Sequence, residues 1–155
     1  MTLVRSTDLS PAMQKDLHAL QCPAFDSQPW VAGVALAARR VAIISSAGLM
    51  MRGERPVTAS DVRYRAIAHD ADARDVLMSH VSVNYDRTGF QRDMNVVFPR
   101  DRLQELVDEG VVGSAASKHY ATMGAVDPAG LERQTRDLVA TLHADGVDSA
   151  VLLPV

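Results

Sequence analysis

The chain has 155 residues, the size of one domain, and its 47% apolar and 23% charged residues are ordinary for a globular fold. A formal charge of −3 offers no excess of Lys or Arg for nucleic acid or anionic lipid, and no apolar run approaches the roughly 18 residues of a membrane span. The first residues carry no apolar core of the signal-peptide kind, so we expect a cytoplasmic protein without nucleic-acid or membrane partners.

The N-terminal region is predicted to hold one helix and an extended strap. Ser10 as N-cap and Pro11 at the first position predict the helix start, and an apolar stripe follows at helical spacing (Met13, Leu17 and Leu20). Residues 22–30 are fixed by two prolines and predict a connector anchored by Phe25 and Trp30. The single cysteine, Cys22, is interpreted as a small buried hydrophobe rather than a nucleophile.

The clearest predicted strand begins at Val41. The run Val41–Ile44 is continuously apolar, which is typical of a strand buried on both faces in a parallel sheet. The strand ends in Ser45-Ser46-Ala47-Gly48. Because ligands of open α/β sheets lie beyond the carboxyl ends of strands, Ser45 and Ser46 are candidate ligand-facing residues. The alternative is a simple turn.

The middle of the chain is predicted as short segments around one polar stretch. Residues 49–62 are predicted to form a loop, and Tyr64–Ala68 and Asp75–Met78 short strands. The polar stretch Ser79–Pro99 follows, with Met94–Phe98 as its final strand-like piece. Imidazole, phenol, guanidinium and carboxylate groups together favour a functional loop, while a solvated loop with an Asx turn is the alternative.

The last third alternates helix and strand. It predicts helices over Pro99–Gly110 and Ala129–Asp145, a strand that runs into a turn of small residues over Val111–Ala116, and a terminal strand over Ala150–Val155. This alternation predicts an α/β fold: an open, mostly parallel, doubly wound sheet of Rossmann or flavodoxin type, preceded by the irregular strap. The predicted domains are residues 1–37, the helix and strap, and residues 38–155, the α/β domain.

Two other classes of function stay open on the residues alone. His80, Asp93 and His119 could form a two-histidine, one-carboxylate metal site, although no HxH or HExxH spacing supports it. A non-catalytic domain that binds a small metabolite or a partner protein is the second alternative, because an uncovered apolar terminal strand is prone to associate. No metal is expected in the favoured interpretation.

Several long segments together carry a family resemblance. They are RVAIISSAGLMMRGERP, YRAI, SHVSVNYDRTGFQRDMNVVFPRDRLQELVDEGVVG, HYATMG and GVDSAVLLPV, in this order over roughly residues 20–155. They resemble the selenoprotein B subunits of the glycine, sarcosine, betaine and D-proline reductases. The resemblance implies reductive cleavage of the C–N bond of a small amine or amino acid, in a complex with other reductase subunits.

The resemblance also implies a nucleophile that this chain does not carry. In the family a selenocysteine or cysteine directly follows the strand that matches Ala150–Val155, so we expect one just after Val155 in the full-length protein. The given chain would then be truncated at an in-frame UGA, and the triplet after the Val155 codon tests this expectation. No cofactor is expected within the chain itself.

Roles for the remaining candidates follow from the chemistry that the resemblance implies. His80 and His119 are the candidate catalytic residues, because a histidine could protonate the leaving amine. Arginine would bind a substrate carboxylate, and an aromatic ring or a carboxylate would bind an ammonium group. The substrate-binding candidates are Ser45, Ser46, Tyr85, Asp86, Arg87, Arg92, Asp93, Asn95 and Tyr120. The expected partners are the small amine or amino-acid substrate and either other reductase subunits or a second copy of the chain bound through the C-terminal strand.

Overall fold

The computed structural model describes residues 5–19, 26, 28, 31–83 and 85–155. The chain separates into two compact units, Met1–Val31 and Ala32–Val155, and each is described by itself. Cys22 and the predicted anchors Phe25 and Trp30 of the connector lie outside the described residues, as does Asn84 of the polar stretch. The domain boundary after residue 37 therefore stays a prediction.

The first unit contains helix α1, Pro11–Ala19, after a 3₁₀ turn at Ser6–Asp8. The Ser10 hydroxyl accepts a hydrogen bond from Met13 N–H at 3.3 Å, and proline at the first helical position needs no N–H partner. The helix start predicted from Ser10-Pro11 is confirmed. Within the described ranges, no helix combines the length and apolar character needed to cross a bilayer.

The second unit is a mixed α/β fold. Its strands are β1 Arg40–Ser45, β2 Leu49–Met51, β3 Arg65–Ala68, β4 Val76–Met78, β5 Ser114–Ala115, β6 Lys118–Ala121 and β7 Ser149–Leu153. Its helices are α2 Thr88–Arg92, α3 Arg100–Asp108 and α4 Glu132–Ala144. Short 3₁₀ turns lie at Leu36–Ala38, Ala73–Asp75, Met94–Val96 and Pro128–Leu131.

Strand β1 lies at the centre of the main sheet. Val41 pairs with Ala115 of β5 and with Ser149 of β7, so β5 and β7 lie on opposite edges of β1. The β1 residues Ile44 and Ser45 pair with β6 on the same edge as β5, and all three ladders are parallel. Strand β3 then pairs antiparallel with β6, which makes the sheet mixed. The α/β class is confirmed; the doubly wound arrangement of Rossmann or flavodoxin type stays a prediction.

The two faces of β1 pack against different helices. Val41 and Ile43 belong to a buried cluster with Phe98 and with Leu103 of α3. Ala42 belongs to a second cluster with Tyr120 and with α4 residues Leu138 and Leu142. Alternation along a strand sends successive side chains to opposite faces, so the continuous apolar run of β1 serves both clusters. The prediction that this strand is buried on both sides is confirmed.

Two local predictions were wrong. Residues 49–51, predicted as loop, form β2, which pairs antiparallel with β4 through Leu49 and Met78. The predicted strand-like piece Met94–Phe98 instead begins with a 3₁₀ turn, because the Asp93 carboxylate accepts from Asn95 N–H and caps it. The segment Val111–Ala116 was also predicted inaccurately: its strand, β5, consists of the small residues Ser114–Ala115, and residues 111–113 before it form bends.

Candidate functional site

The segment that follows β1, residues 46–48, binds two other segments at the carboxyl end of the sheet, the turn after β6 and the start of the polar stretch. Gly48 N–H donates to Thr122 O at 2.8 Å, and Ser79 N–H donates to Gly48 O at 2.9 Å. Gly124 N–H donates to Ser46 O at 2.9 Å. We call residues 46–48 the junction segment, because it holds the start of the polar stretch against the turn after β6.

Two glycines are required by this close packing. Gly48 has φ +64°, and a Cβ there would lie 3.1 Å from the Cα of His80. A Cβ on Gly124 would lie 2.9 Å from the side chain of Ser46. Larger residues at either position would push these segments apart. The backbone around His80 is therefore positioned by contact with main chain as well as by hydrogen bonds.

A cleft of 260 Å³ opens beside the junction segment. It is formed by the first part of the polar stretch, by the turn after β6 and by the chain end two residues beyond β7. Its lining residues are His80, Ser82, Tyr85, Gly124, Ala125 and Val155. The structure thus brings two predicted site residues, His80 and Tyr85, to the end of the C-terminal strand. Volumes of this order fit a small metabolite rather than a cofactor or a drug-sized ligand.

His80 is the most buried polar residue of the cleft, with 7% of its surface exposed. Its Nδ1 accepts from Ser82 N–H at 3.2 Å, whereas Nε2 is buried without a hydrogen-bond partner among the described residues. The Tyr85 ring lies beside it, with 4.8 Å between ring centroids. Burial lowers the pKa of His80, and the positive charge of Arg87 lowers it further, so the imidazole is neutral near pH 7.

Arg87 stabilises the loop from within. Its Nη2 donates to the carbonyl of His80 at 2.6 Å and to that of Ser82 at 3.1 Å, and its Nη1 donates to Tyr85 O at 3.3 Å. The guanidinium therefore places a positive charge next to the cleft while its two terminal nitrogens bind main chain. The neighbouring Asp86 is exposed, and its carboxylate accepts from Thr88 N–H at the start of α2. Hydrogen bonds from Thr88 lower the Asp86 pKa.

The two serines after β1 have different surroundings. The Ser45 hydroxyl is fully buried, donates to Val97 O at 2.7 Å and accepts from Ala47 N–H at 3.2 Å. The half-buried Ser46 hydroxyl accepts from Val155 N–H at 2.8 Å, and Ser46 N–H donates to Leu153 O. Ser46 therefore fixes the end of β7 at the cleft wall, whereas Ser45 binds Val97, the residue that follows the 3₁₀ turn at 94–96.

The remaining candidates of the polar stretch lie on its exposed side. Asn95 donates to the carboxylates of Asp93 and Asp101, and its Oδ1 accepts from Asp101 N–H at 3.0 Å. The main-chain and side-chain donors of Asn95 lower the pKa of Asp93. Arg92 is exposed at the last position of α2. Asp93 and Asn95 thus cap the 3₁₀ turn and the first turn of α3, outside the residues that line the cleft.

His119 lies inside the protein in a different hydrogen-bond network. Its Nδ1 accepts from Ile43 N–H at 3.1 Å, so the neutral ring carries its proton on Nε2, which lies 2.8 Å from His69 Nδ1. His69 Nε2 then donates to Gln104 Oε1 at 2.7 Å. Burial, followed by the charges of His69 and Arg100, lowers the pKa of His119 to about 4.

The structure does not assemble the metal site considered as an alternative. His80, Asp93 and His119 belong to three separate networks, and the described residues contain no group of three or more His, Cys, Asp or Glu placed to bind a metal ion. The buried Tyr120 faces α4, where its ring packs edge-to-face on Tyr64 with centroids 5.6 Å apart. Tyr120 therefore lies in the core near α4.

Three residues that line the cleft and the hydrogen-bond partner of His119 were not predicted from the sequence. Ser82, Gly124 and Ala125 line the cleft, and Gly124 closes the HYATMG segment, whose ending in glycine after a strand was the available signal. His69 is not among the site residues predicted from the sequence. Its contact with His119 joins positions 50 residues apart, and no local pattern predicts such a pair.

Comparison with known proteins gives a consistent family. Residues 15–154 match the model of the family described as glycine/sarcosine/betaine reductase selenoprotein B. The D-proline reductase subunit gamma of Acetoanaerobium sticklandii is 30% identical over 115 residues, which cover 72% of this chain and 47% of the relative. The glycine reductase complex component B subunit gamma of Carboxydothermus hydrogenoformans is 28% identical over 139 residues, covering 86% and 32%.

A third relative gives the same result. It is the glycine reductase complex component B subunit gamma of Peptoclostridium acidaminophilum, 26% identical over 136 residues that cover 84% of this chain and 31% of the relative. The chain thus spans about half the length of one relative and about a third of the other two. No solved structure matches the chain significantly. Because the family model matches nearly the whole sequence, the chain belongs to the glycine/sarcosine/betaine reductase selenoprotein B family.

Proposed function

We propose that this chain forms a substrate cleft in a reductase that cleaves the C–N bond of a small amine or amino acid, of the glycine, sarcosine, betaine or proline class. The observation that carries the proposal is the 260 Å³ cleft between His80, Tyr85 and the end of β7. Family membership supports the reaction type. Reductive cleavage consumes two electrons and protons and replaces the C–N bond by a C–H bond, so it needs a nucleophile and an external reductant. The amine leaves as a separate molecule from glycine, sarcosine or betaine, whereas in proline it stays attached to the opened ring.

The proposed nucleophile is a selenocysteine or cysteine that follows Val155 in the full-length protein. Ser46 supports this position, because its hydroxyl accepts from Val155 N–H and so orients the main chain at the cleft wall. The positive charge of Arg87 beside the cleft favours an anionic selenolate or thiolate. Electrons are proposed to come from other subunits of a cytoplasmic reductase complex.

Among the two candidate catalytic histidines, the geometry favours His80. It lines the cleft, whereas His119 is fully buried and is engaged by Ile43 and His69. We therefore propose that His80 and Tyr85 contact the substrate, with Ser46 and Arg87 as positioning residues. The other predicted substrate-binding residues do not line the cleft, and we do not propose that they contact the substrate: Asp86, Arg92, Asp93, Asn95, Ser45 and Tyr120.

The test is C–N bond cleavage by the complete reductase complex with each of the four substrate classes, measured as amine release from glycine, sarcosine or betaine and as ring opening of proline. Ala125→Leu would place a larger side chain in the cleft, and we expect amine release to fall at least about tenfold, because small misplacements of a substrate have effects of this size. Ala129→Leu, an exposed alanine in the neighbouring 3₁₀ turn, is the matched control. Equal activity of the two variants would remove the cleft from the mechanism.

A second candidate function, partner binding, is favoured by strand β7. Its residues Val151 and Leu152 are 43% and 70% exposed, and the strand pairs on one side only, with β1, within the described part of the chain. An unpaired apolar edge of this kind accepts a further strand. We propose that another reductase subunit or a second copy of the chain pairs there.

A further inference from the structure

We infer that His80 is a neutral hydrogen-bond donor that holds a carboxylate oxygen of a small ligand in the cleft. The inference deepens the proposed function and rests on the same cleft. It assigns His80 to binding rather than to proton transfer, and it identifies the ligand by its anionic acceptor group.

The first step is the tautomer of His80. Ser82 N–H donates to Nδ1 at 3.2 Å. Because a main-chain N–H can only donate a hydrogen bond, Nδ1 must be the acceptor and carries no proton. The neutral ring then carries its proton on Nε2. A neutral imidazole that already accepts at Nδ1 has no second lone pair for a proton, so it offers a ligand one N–H donor.

The second step is the unmet hydrogen bond at Nε2. His80 lines the cleft with 7% of its surface exposed, and Nε2 is buried with no acceptor in the described ranges. A buried donor without an acceptor is costly, which favours a ligand that supplies one. The half-buried Tyr85 ring lies beside the imidazole, with 4.8 Å between ring centroids, so the inference requires this ring to shift when an acceptor binds at Nε2.

The third step is the charge around the ring. The Arg87 guanidinium donates to the carbonyls of His80, Ser82 and Tyr85, so its positive charge lies against the loop that carries Nε2. This charge disfavours a second positive charge on the ring and favours a negative ligand group. A neutral donor beside a fixed cation is complementary to a carboxylate and gives no advantage to an ammonium group.

The test reads the tautomer and the binding by NMR, without any reduction step. In the ¹⁵N-labelled chain at about pH 7, long-range ¹H–¹⁵N spectra should show His80 as the Nε2–H tautomer, assigned by loss of its signals in His80→Gln. Added acetate should shift the Nε2 resonance to saturation, and acetamide, of similar size and neutral, should not. An Nδ1–H tautomer, no shift with acetate, or equal shifts with both probes would overturn the inference.

Two substitutions sharpen the result. Gln carries an amide N–H2 near the position of Nε2, whereas Asn reaches only the position of Nδ1. We expect His80→Gln to keep acetate binding within about threefold and His80→Asn to weaken it about tenfold or more, the range for one hydrogen bond to a charged group. Equal weakening in both variants contradicts the assignment. If neither variant folds, the wild-type tautomer and titration decide alone.

Failure here is distinguishable from failure of the proposed reaction. Acetate binding at His80 without amine release from the complete complex would leave this inference standing and contradict the reductase function. Amine release with no response of His80 to acetate would support the reductase function and contradict this inference.

Discussion

At the scale of single residues, the His119 side chain accepts a hydrogen bond from β1 in place of the main-chain carbonyl of a neighbouring strand. Strands β5 and β6 both pair with one edge of β1, and the chain turns between them at residues 116–117. Beside this break, Ile43 N–H donates to His119 Nδ1 instead of to a strand. The buried imidazole therefore completes the β1 ladder, and its lone pair must stay unprotonated for it to do so.

This role predicts a loss of stability in acid. The pKa of His119 is about 4 in the folded chain and 6.5 in the unfolded chain, so below pH 6.5 the unfolded chain binds a proton that the folded chain does not. The stabilisation is complete above pH 6.5 and is lost as the pH falls towards 4. His119→Asn, which keeps an acceptor near Ile43 N–H, should lose about 2 kcal/mol less than wild type between about pH 7 and pH 5.

Urea denaturation at the two pH values measures this difference in the free energy of unfolding. His143→Asn, at an exposed histidine of α4, is the control and should follow wild type. A wild-type pH dependence in His119→Asn would show that the buried ring does not dominate the acid sensitivity.

At the scale of elements, the turns around the junction segment decide where the cleft residues lie. Gly48→Ala should destabilise the fold by about 2–4 kcal/mol, because it combines a positive φ with a Cβ 3.1 Å from the His80 Cα. Gly53→Ala is the matched control: its φ is +90°, but a Cβ there meets no atom within 4 Å. We expect it to lose about 1–2 kcal/mol.

Thermal and urea unfolding of the two variants separates backbone strain from contact. If Gly48→Ala and Gly53→Ala lose the same stability, the close approach of residues 48 and 80 does not contribute to the free energy of unfolding. A larger loss in Gly53→Ala would contradict the packing described for the junction segment.

Elements with strong local signals were predictable, and short ones were not. The start of α1 at Ser10-Pro11 is determined by side chains next to the helix. The Asp127 carboxylate acts in the same local way, because it accepts from Ala129 N–H and caps the 3₁₀ turn Pro128–Leu131. Strand β2 has three residues and exists through its pairing with β4, in which Leu49 pairs with Met78, 29 residues later. Such pairings are decided by tertiary contacts and leave no periodic pattern.

The candidate site was predictable to the same degree. The polar stretch identified His80 and Tyr85, because unusual side chains concentrated in one loop are visible in sequence. The separation of Asp93 and Asn95 from the cleft was not visible, since both serve as caps for elements that begin only a few residues later. The burial of His119 depends on the break between β5 and β6, which the sequence does not mark.

At the scale of the whole molecule, β7 leaves an apolar edge on the second unit. We expect the chain to associate through this edge, and Leu152→Lys to weaken association about tenfold or more, because a charge on an edge strand opposes pairing. Val139→Lys, at a 45% exposed valine of α4, is the control and should leave association unchanged. Light scattering over a concentration series measures the mass. A wild-type chain with the mass of one copy at every concentration would contradict self-association.

The junction segment also has a consequence for engineering and for exchange between relatives. It touches the polar stretch, the turn after β6 and the end of β7 through main-chain hydrogen bonds and through positions where a Cβ does not fit. A loop graft that moved the polar stretch alone into another scaffold would therefore lose the supports that shape it. Chimaeras should keep the cleft intact only when all three segments are transplanted together with residues 46–48 as one module.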